Sequence, residues 1–124
     1  MDSKQLMQVA AKASDDKRAE DIVVLDMNSV SLVADYFIIC HASNERQVQA
    51  IARNIKEEAE ANGMDVQRLE GFEHARWILV DLDDVVCHVF HEDERHYYNL
   101  ERLWGDAPTY SFEEIDRERE QMER

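Results

Sequence analysis

Residues 77–90 constrain the chain most: the apolar runs WILV and VVCHVF are separated only by Asp81, Leu82, Asp83 and Asp84. Runs this rich in Val and Ile form strands over 77–80 and 85–90, and a link this short leaves room only for a hairpin, so the pair is antiparallel. The surrounding stretch, 70–104, also carries Trp77, Phe90, Tyr97, Tyr98 and Trp104 among many carboxylates. So many large groups in an acidic setting imply a sticky, negatively charged face in addition to a core.

The remaining elements are set by periodicity. Ser3 is positioned to cap a first helix whose Leu6, Met7, Ala10 and Ala13 recur at helical spacing, ending near Ser14, Asp15 and Asp16. The continuous runs at 22–25 and 36–40 fit strands covered on both faces, with a loop at 28–31 between them. Ser43 or Asn44 opens a long helix with Val48, Ile51, Ala52, Ile55 and Ala59 on its buried stripe, and Gly63 stands where a left-handed terminating residue belongs. A weaker strand is expected over 64–69. From Asp93 a third helix puts Tyr97, Leu100, Leu103 and Trp104 on one side before Gly105 and Pro108 stop it.

This order predicts an α/β (α+β) fold: a single domain with a mixed five-stranded sheet and flanking helices. The domain spans 1–108. Residues 109–124 form a charged C-terminal tail in which Ser111 and Glu114 could open a last helix; only Phe112, Ile115 and Met122 could be buried, so an exposed or frayed segment is expected.

Composition narrows the function. With 124 residues, 44% of them hydrophobic, one Pro and three Gly, the chain is folded and has little room for linkers. A formal net charge of −14 repels bare phosphate backbone and attracts basic proteins. Cys40 and Cys87 lie inside apolar runs without a CxxC pair, as small buried thiols of a reducing compartment do. The N-terminus carries no apolar signal core and no run is long enough to span a membrane, so a cytoplasmic protein is expected.

Asp81, Asp83 and Asp84 near a strand end could hold a hard cation, which makes a metal-dependent nucleotidyltransferase or hydrolase the rival reading; the glycine-rich phosphate cradle that such chemistry wants is missing. Cys87, His88, His91 and His96 do not have zinc spacing, and on a strand Cys87 and His88 point to opposite faces. No serine or cysteine stands in a nucleophile elbow. No cofactor is called for. The aromatic and acidic face remains, with Trp77, Leu82 and Tyr98 as anchors and Asp81, Asp83 and Asp84 placed to meet basic side chains.

Four segments resemble the ribosomal silencing factor (Iojap-like) family: ADYFIIC at 34–40, RQVQAIARNI at 46–55, ARWILVDLDDVVCHVF at 75–90 and YYNLERLWGDA at 97–107. The resemblance implies a nucleotidyltransferase-like topology lacking the catalytic residues, and a function without chemistry. Members bind a large-subunit ribosomal protein, the one numbered fourteen, and block joining of the small subunit; free members are often homodimers. Carried over by position, the binding face is Trp77, Leu82 and Tyr98 with Glu70, Asp81 and Asp84 beside them. The chain departs from the family pattern at Asp83, where glycine is common, and at His41 and Ala42, where a serine-glycine pair is common. Aspartate enters a left-handed conformation less freely than glycine does.

Overall fold

The β-branched runs form the strands they predict, and the sheet they build separates two cores. The computed structural model describes residues 1–122. Helix α1 (Ser3–Asp16) precedes β1 (Glu20–Asp26) and β2 (Tyr36–Ala42). Helix α2 (Glu45–Ala61) leads into β3 (Arg68–Glu70), β4 (Trp77–Asp81) and β5 (Val85–His91). The short helices α3 (Glu92–Tyr98) and α4 (Leu100–Leu103) come next, then β6 (Thr109–Ser111) and α5 (Phe112–Met122). The six strands lie in the order β3-β4-β5-β2-β1-β6. Among the described residues only β2 and β5 pair in parallel; β4 and β5 form the antiparallel hairpin.

One face of the sheet packs Ile38, Cys40, Ile78, Val80, Cys87 and Val89 against α1, α2 and Ile115 of α5. Its residues are almost wholly aliphatic, as a surface sealed by helices requires. The opposite face gathers Leu25, Ile39, Phe90 and Leu100 into a smaller core, with Phe37, Trp77 and Trp104 half-buried around it.

Local chemistry sets the ends of the elements. Asn44 caps α2 by accepting the Gln47 amide at 2.9 Å, and Gly63 past its end has φ +83°. The cap of α1 is Asp2 and not Ser3: its carboxylate accepts the Gln5 amide at 2.8 Å while Gln5 Oε1 accepts the Asp2 amide at 3.0 Å. A carboxylate cap is also favoured by the helix dipole.

Three further expectations are corrected in the architecture. The sheet has six strands and not five, because Thr109–Ser111 pairs antiparallel with β1. The segment beyond β6 is helical and not frayed: Ser111 Oγ accepts the Glu114 amide at 3.3 Å, α5 runs from that cap, and Ile115 is buried against α1. The Met122 side chain lies outside the described residues. The third helix is two helices, since Asn99 at φ +42° ends α3 and its side chain caps α4 by accepting the Arg102 amide. Asparagine tolerates the left-handed conformation, and the break leaves Tyr97 and Leu103 exposed while Leu100 stays in the core.

Candidate functional site

Strand alternation decides which side chains share the less covered face. On β4 these are Trp77, Leu79 and Asp81; their register partners on β5 are Phe90, His88 and Val86. The parallel pairing adds Phe37, Ile39 and His41 from β2 in the same rows. Glu70 and Arg68 of β3 align with Leu79 and Asp81 and extend the face to the sheet edge.

Helix α3 lays an aromatic stack over one end. Trp77 stacks on Phe90 at 5.0 Å between ring centroids, and Tyr98 tilts over Trp77 at 4.7 Å. Trp104 meets Phe37 edge-on at 6.0 Å. Trp77, Leu79 and Phe37 remain half-buried, and Tyr98 is 45% exposed. Arg95 fixes the helix carrying Tyr98: buried beneath α3, it donates to the Asp21 carbonyl at 2.6 Å and to His41 Nδ1 at 2.8 Å, and pairs with Glu101 at 3.2 Å. The Asp21 carbonyl belongs to an irregular stretch of β1 with φ +46° at Asp21, so the guanidinium satisfies backbone that the ladder cannot.

Of the residues expected on the binding face, Trp77 and Tyr98 touch, while Glu70 aligns with Leu79 and Asp81 with Val86, further along the same face. Both carboxylates are engaged: Arg68 reaches Asp81 at 3.3 Å and Glu70 at 3.2 Å, in exposed pairs of small energy. Asp81 also accepts the Asp83 amide at 2.8 Å. Asp84 sits exposed in the hairpin turn, and its carbonyl accepts the amides of Asp35 and Tyr36. Leu82 does not join them. It is completely buried in the aliphatic core, so the expectation of an exposed patch shared by Trp77, Leu82 and Tyr98 is corrected. Its spacing of five from Trp77 already places it on the opposite face while Asp81, four away, falls on the same one.

Sequence reasoning does not single out Leu32 and Val33, 107% and 83% exposed in the loop tied through Asp35 to the hairpin turn, and it weighs His88 only as a metal ligand. The loop residues carry no periodic signal. His88 is buried on the aromatic face, where Trp77 Nε1 donates to its Nδ1 at 3.1 Å, and burial pushes its pKa down to about 4.

Metal chemistry has a different geometry from the one expected. Among the described residues, the His, Cys, Asp and Glu side chains that converge are Glu20, His41 and Glu92, with ligand atoms within 4.8 Å. A guanidinium only donates, so His41 Nδ1 is the acceptor for Arg95 and Nε2 carries the proton toward Glu20, 3.6 Å away. In that tautomer the ring is neutral, with its one lone pair taken by Arg95 and its N–H turned toward Glu20, so neither nitrogen is free to ligate a metal. Burial and then Arg95 hold the His41 pKa below its ordinary value. Cys40 and Cys87 are buried, with burial pushing the Cys40 thiol up to about 12 and the Cys87 thiol well above its usual range. A recess of 620 Å³ is lined by residues of α1, α2 and α5, among them Gln5, Lys12 and Glu58, and by no residue of a strand. Among the described residues no helix is long and apolar enough to cross a membrane.

Comparison with known proteins gives a consistent picture. The family model described as ribosomal silencing factor during starvation matches residues 1–124. Ribosomal silencing factor RsfS of Bacillus subtilis is 65% identical over 108 residues, covering 87% of this chain and 92% of that protein. The RsfS protein of Halalkalibacterium halodurans is 56% identical over 115 residues, covering 93% and 98%. A crystal structure from Chromobacterium violaceum superposes with a TM-score of 0.83 at 33% identity, over 85% of this chain and 88% of that one.

Proposed function

The chain belongs to the ribosomal silencing factor family, and from that membership we propose a translational repressor that acts as a steric obstacle. It binds the large-subunit ribosomal protein numbered fourteen and keeps the small subunit from joining. The observation that carries this reading is the aromatic pair of half-buried Trp77 and exposed Tyr98, with Glu70 and Asp81 further along the same face of the sheet and Asp84 exposed in the hairpin turn. Aromatic groups that are partly desolvated and rigidly stacked make interface anchors, and the carboxylates further along the face steer a basic protein toward them. The net charge of −14 acts in the same sense, favouring a basic protein and disfavouring contact with exposed RNA backbone. Leu82 serves this face from beneath, as the buried footing of the turn that carries Asp83 and Asp84.

No bond is made or broken in this mechanism, so the protein is not an enzyme. Its place is the cytoplasm, where the subunits assemble, and it is a homodimer when free. Cosedimentation with purified large subunits, followed by addition of small subunits, tests the proposal. Binding that lowers the yield of joined particles is expected; binding without that effect, or no binding, overturns it.

A further inference from the structure

Helix α3 has seven residues and stops at the left-handed Asn99, too short to keep its own place on the sheet. Side chains hold it there. On its outer side Glu94 pairs with Arg76 at 2.8 Å, a partly exposed contact of small energy. On its inner side the anchor is the buried Arg95, and a single nitrogen carries two of its bonds: Nη1 donates to the Asp21 carbonyl of β1 at 2.6 Å and to His41 Nδ1 of β2 at 2.8 Å. Its Nε reaches Glu101 of α4 at 3.2 Å. Tyr98 stands three residues after Arg95, one helical turn on, so the seat of its ring over Trp77 depends on where Arg95 is pinned.

His41 is the conditional member of this set. Its Nδ1 serves Arg95 only while it keeps a lone pair, and a second proton on the ring sets two N–H donors and two positive charges face to face at 2.8 Å. Arg95 must then withdraw, and Nη1 cannot leave the histidine without loosening its bond to Asp21. Burial and then Arg95 oppose that second proton, whereas Glu20 and Asp21 from β1 and Glu92 from α3 favour it. Glu20 is the one in reach of Nε2, at 3.6 Å. The other polar groups around the ring are His96 of α3, Asn99 and Glu101 of α4, which line a 260 Å³ recess with it; Phe90 of β5, its register partner, brings no charge. The opposing causes prevail, so the ring is neutral at neutral pH and takes up its second proton below the ordinary histidine range.

We propose that His41 is a positioning residue for the docking face: its neutral ring fixes Tyr98 over Trp77 through Arg95, and its protonation releases α3 and weakens docking in acid. This inference rests on the docking role of Trp77 and Tyr98 and gives that face a regulation. The sign follows from linkage. A docked partner needs α3 in place and so holds His41 neutral, and affinity falls as pH drops through the range in which the free protein binds the proton. His88, held near 4 by burial, titrates below this range.

The test measures affinity for purified large ribosomal subunits from about pH 7.5 to about pH 5. It compares the unaltered protein with His41→Asn, His41→Leu and Tyr98→Ala, each checked by thermal melting to be folded across that range. Asparagine places Oδ1 close to the position of Nδ1, so it keeps an acceptor for Arg95 and cannot titrate, and leucine removes the acceptor at every pH. The unaltered protein is expected to bind about 3- to 10-fold more weakly at the acid end while still folded, the upper figure being a shift of one pKa unit between free and docked states. The expected acid effect is absent from His41→Asn and from His41→Leu, and His41→Leu binds more weakly than His41→Asn at the neutral end. Any titration of the ribosome itself is common to all the proteins. An equal fall in the unaltered protein and the His41 variants overturns the proposal, and so does an unaltered protein whose affinity does not change with pH. The leucine variant decides the matter if the asparagine variant does not fold; failure of both makes His41 a structural residue and also overturns it. If Tyr98→Ala binds as tightly as the unaltered protein at the neutral end, or if the unaltered protein does not bind, the docking reading itself has failed.

Discussion

The two faces of the sheet are built from the same strands and solve opposite problems. Toward α1 and α2 the alternating positions are Ile, Val, Cys and Ala, all closed from solvent and all without polar side-chain atoms that need a partner. On the reverse, the intervening positions include Trp77, Phe37 and Asp81, which stay half-buried, and His88, which is buried. A side chain on the first face contributes through the area it removes from water. On the second it presents aromatic rings and carboxylates that stay partly open to solvent. One strand can therefore carry stability and recognition on alternate residues, and a substitution at one should leave the other largely untouched.

The strongest challenge to that division is Leu82→Ala. A fully buried leucine on the aliphatic side should cost about 3 kcal/mol of stability, read by denaturant unfolding, with subunit affinity unchanged wherever the variant is folded. Lost affinity in a folded Leu82→Ala protein would show that the hairpin turn couples the two faces.

Almost as large is an acid effect confined to the aromatic side. His88 has its folded pKa lowered to about 4 by burial, below the ordinary 6.5, so the unfolded chain binds a proton that the folded one refuses. Stability from this group is complete above about pH 6.5 and is lost as pH falls toward 4, amounting to about 3 kcal/mol. His41, lowered by burial and by Arg95, pushes in the same direction. Unfolding curves across this window should flatten in His88→Asn.

Tyr98→Ala should do the reverse of Leu82→Ala. With 45% of the residue exposed, the loss should fall on binding, about 2 kcal/mol by titration against large subunits, with little change in melting. Unimpaired affinity in the folded variant would assign Tyr98 to packing over Trp77 alone.

The smallest effect concerns the turn between the faces. Asp83 adopts φ +77°, a conformation in which aspartate is strained and glycine is not. Asp83→Gly should raise stability by about 0.5–1 kcal/mol, because relief of strain outweighs the glycine's extra freedom in the unfolded chain. A destabilised variant would mean that the Asp83 carboxylate contributes more to the turn than its backbone costs.

The sequence made the helix-covered face legible because periodicity reports burial directly. The α2 stripe, the Asn44 cap and the hairpin register can all be read from spacing and capping chemistry. The candidate site is partly legible: residue type picks Trp77 and Tyr98, which do touch, whereas Leu82, picked by type as well, is placed in the aliphatic core by strand alternation. The Asn99 break has no breaker stronger than asparagine, so a helical period continued through it on paper. The last strand was missed because three residues, two of them exposed, gain their order from the β1 edge and not from their own composition. The bond between His88 and Trp77 is not legible, since it depends on where the Trp77 indole points.

The parallel pairing of β2 with β5 sets when this molecule can exist during its own synthesis. Tyr36 aligns with Val85, and all of α2, β3 and β4 lies between the two strands in the chain. A nascent polypeptide that has emerged only through α2 holds β2 with one long edge bare, and the entropy of closing so large a loop is recovered only once β5 arrives. Acquisition of the native form is thus a late event in elongation. Truncations ending before residue 85 should accumulate as aggregation-prone fragments, not as a smaller working module.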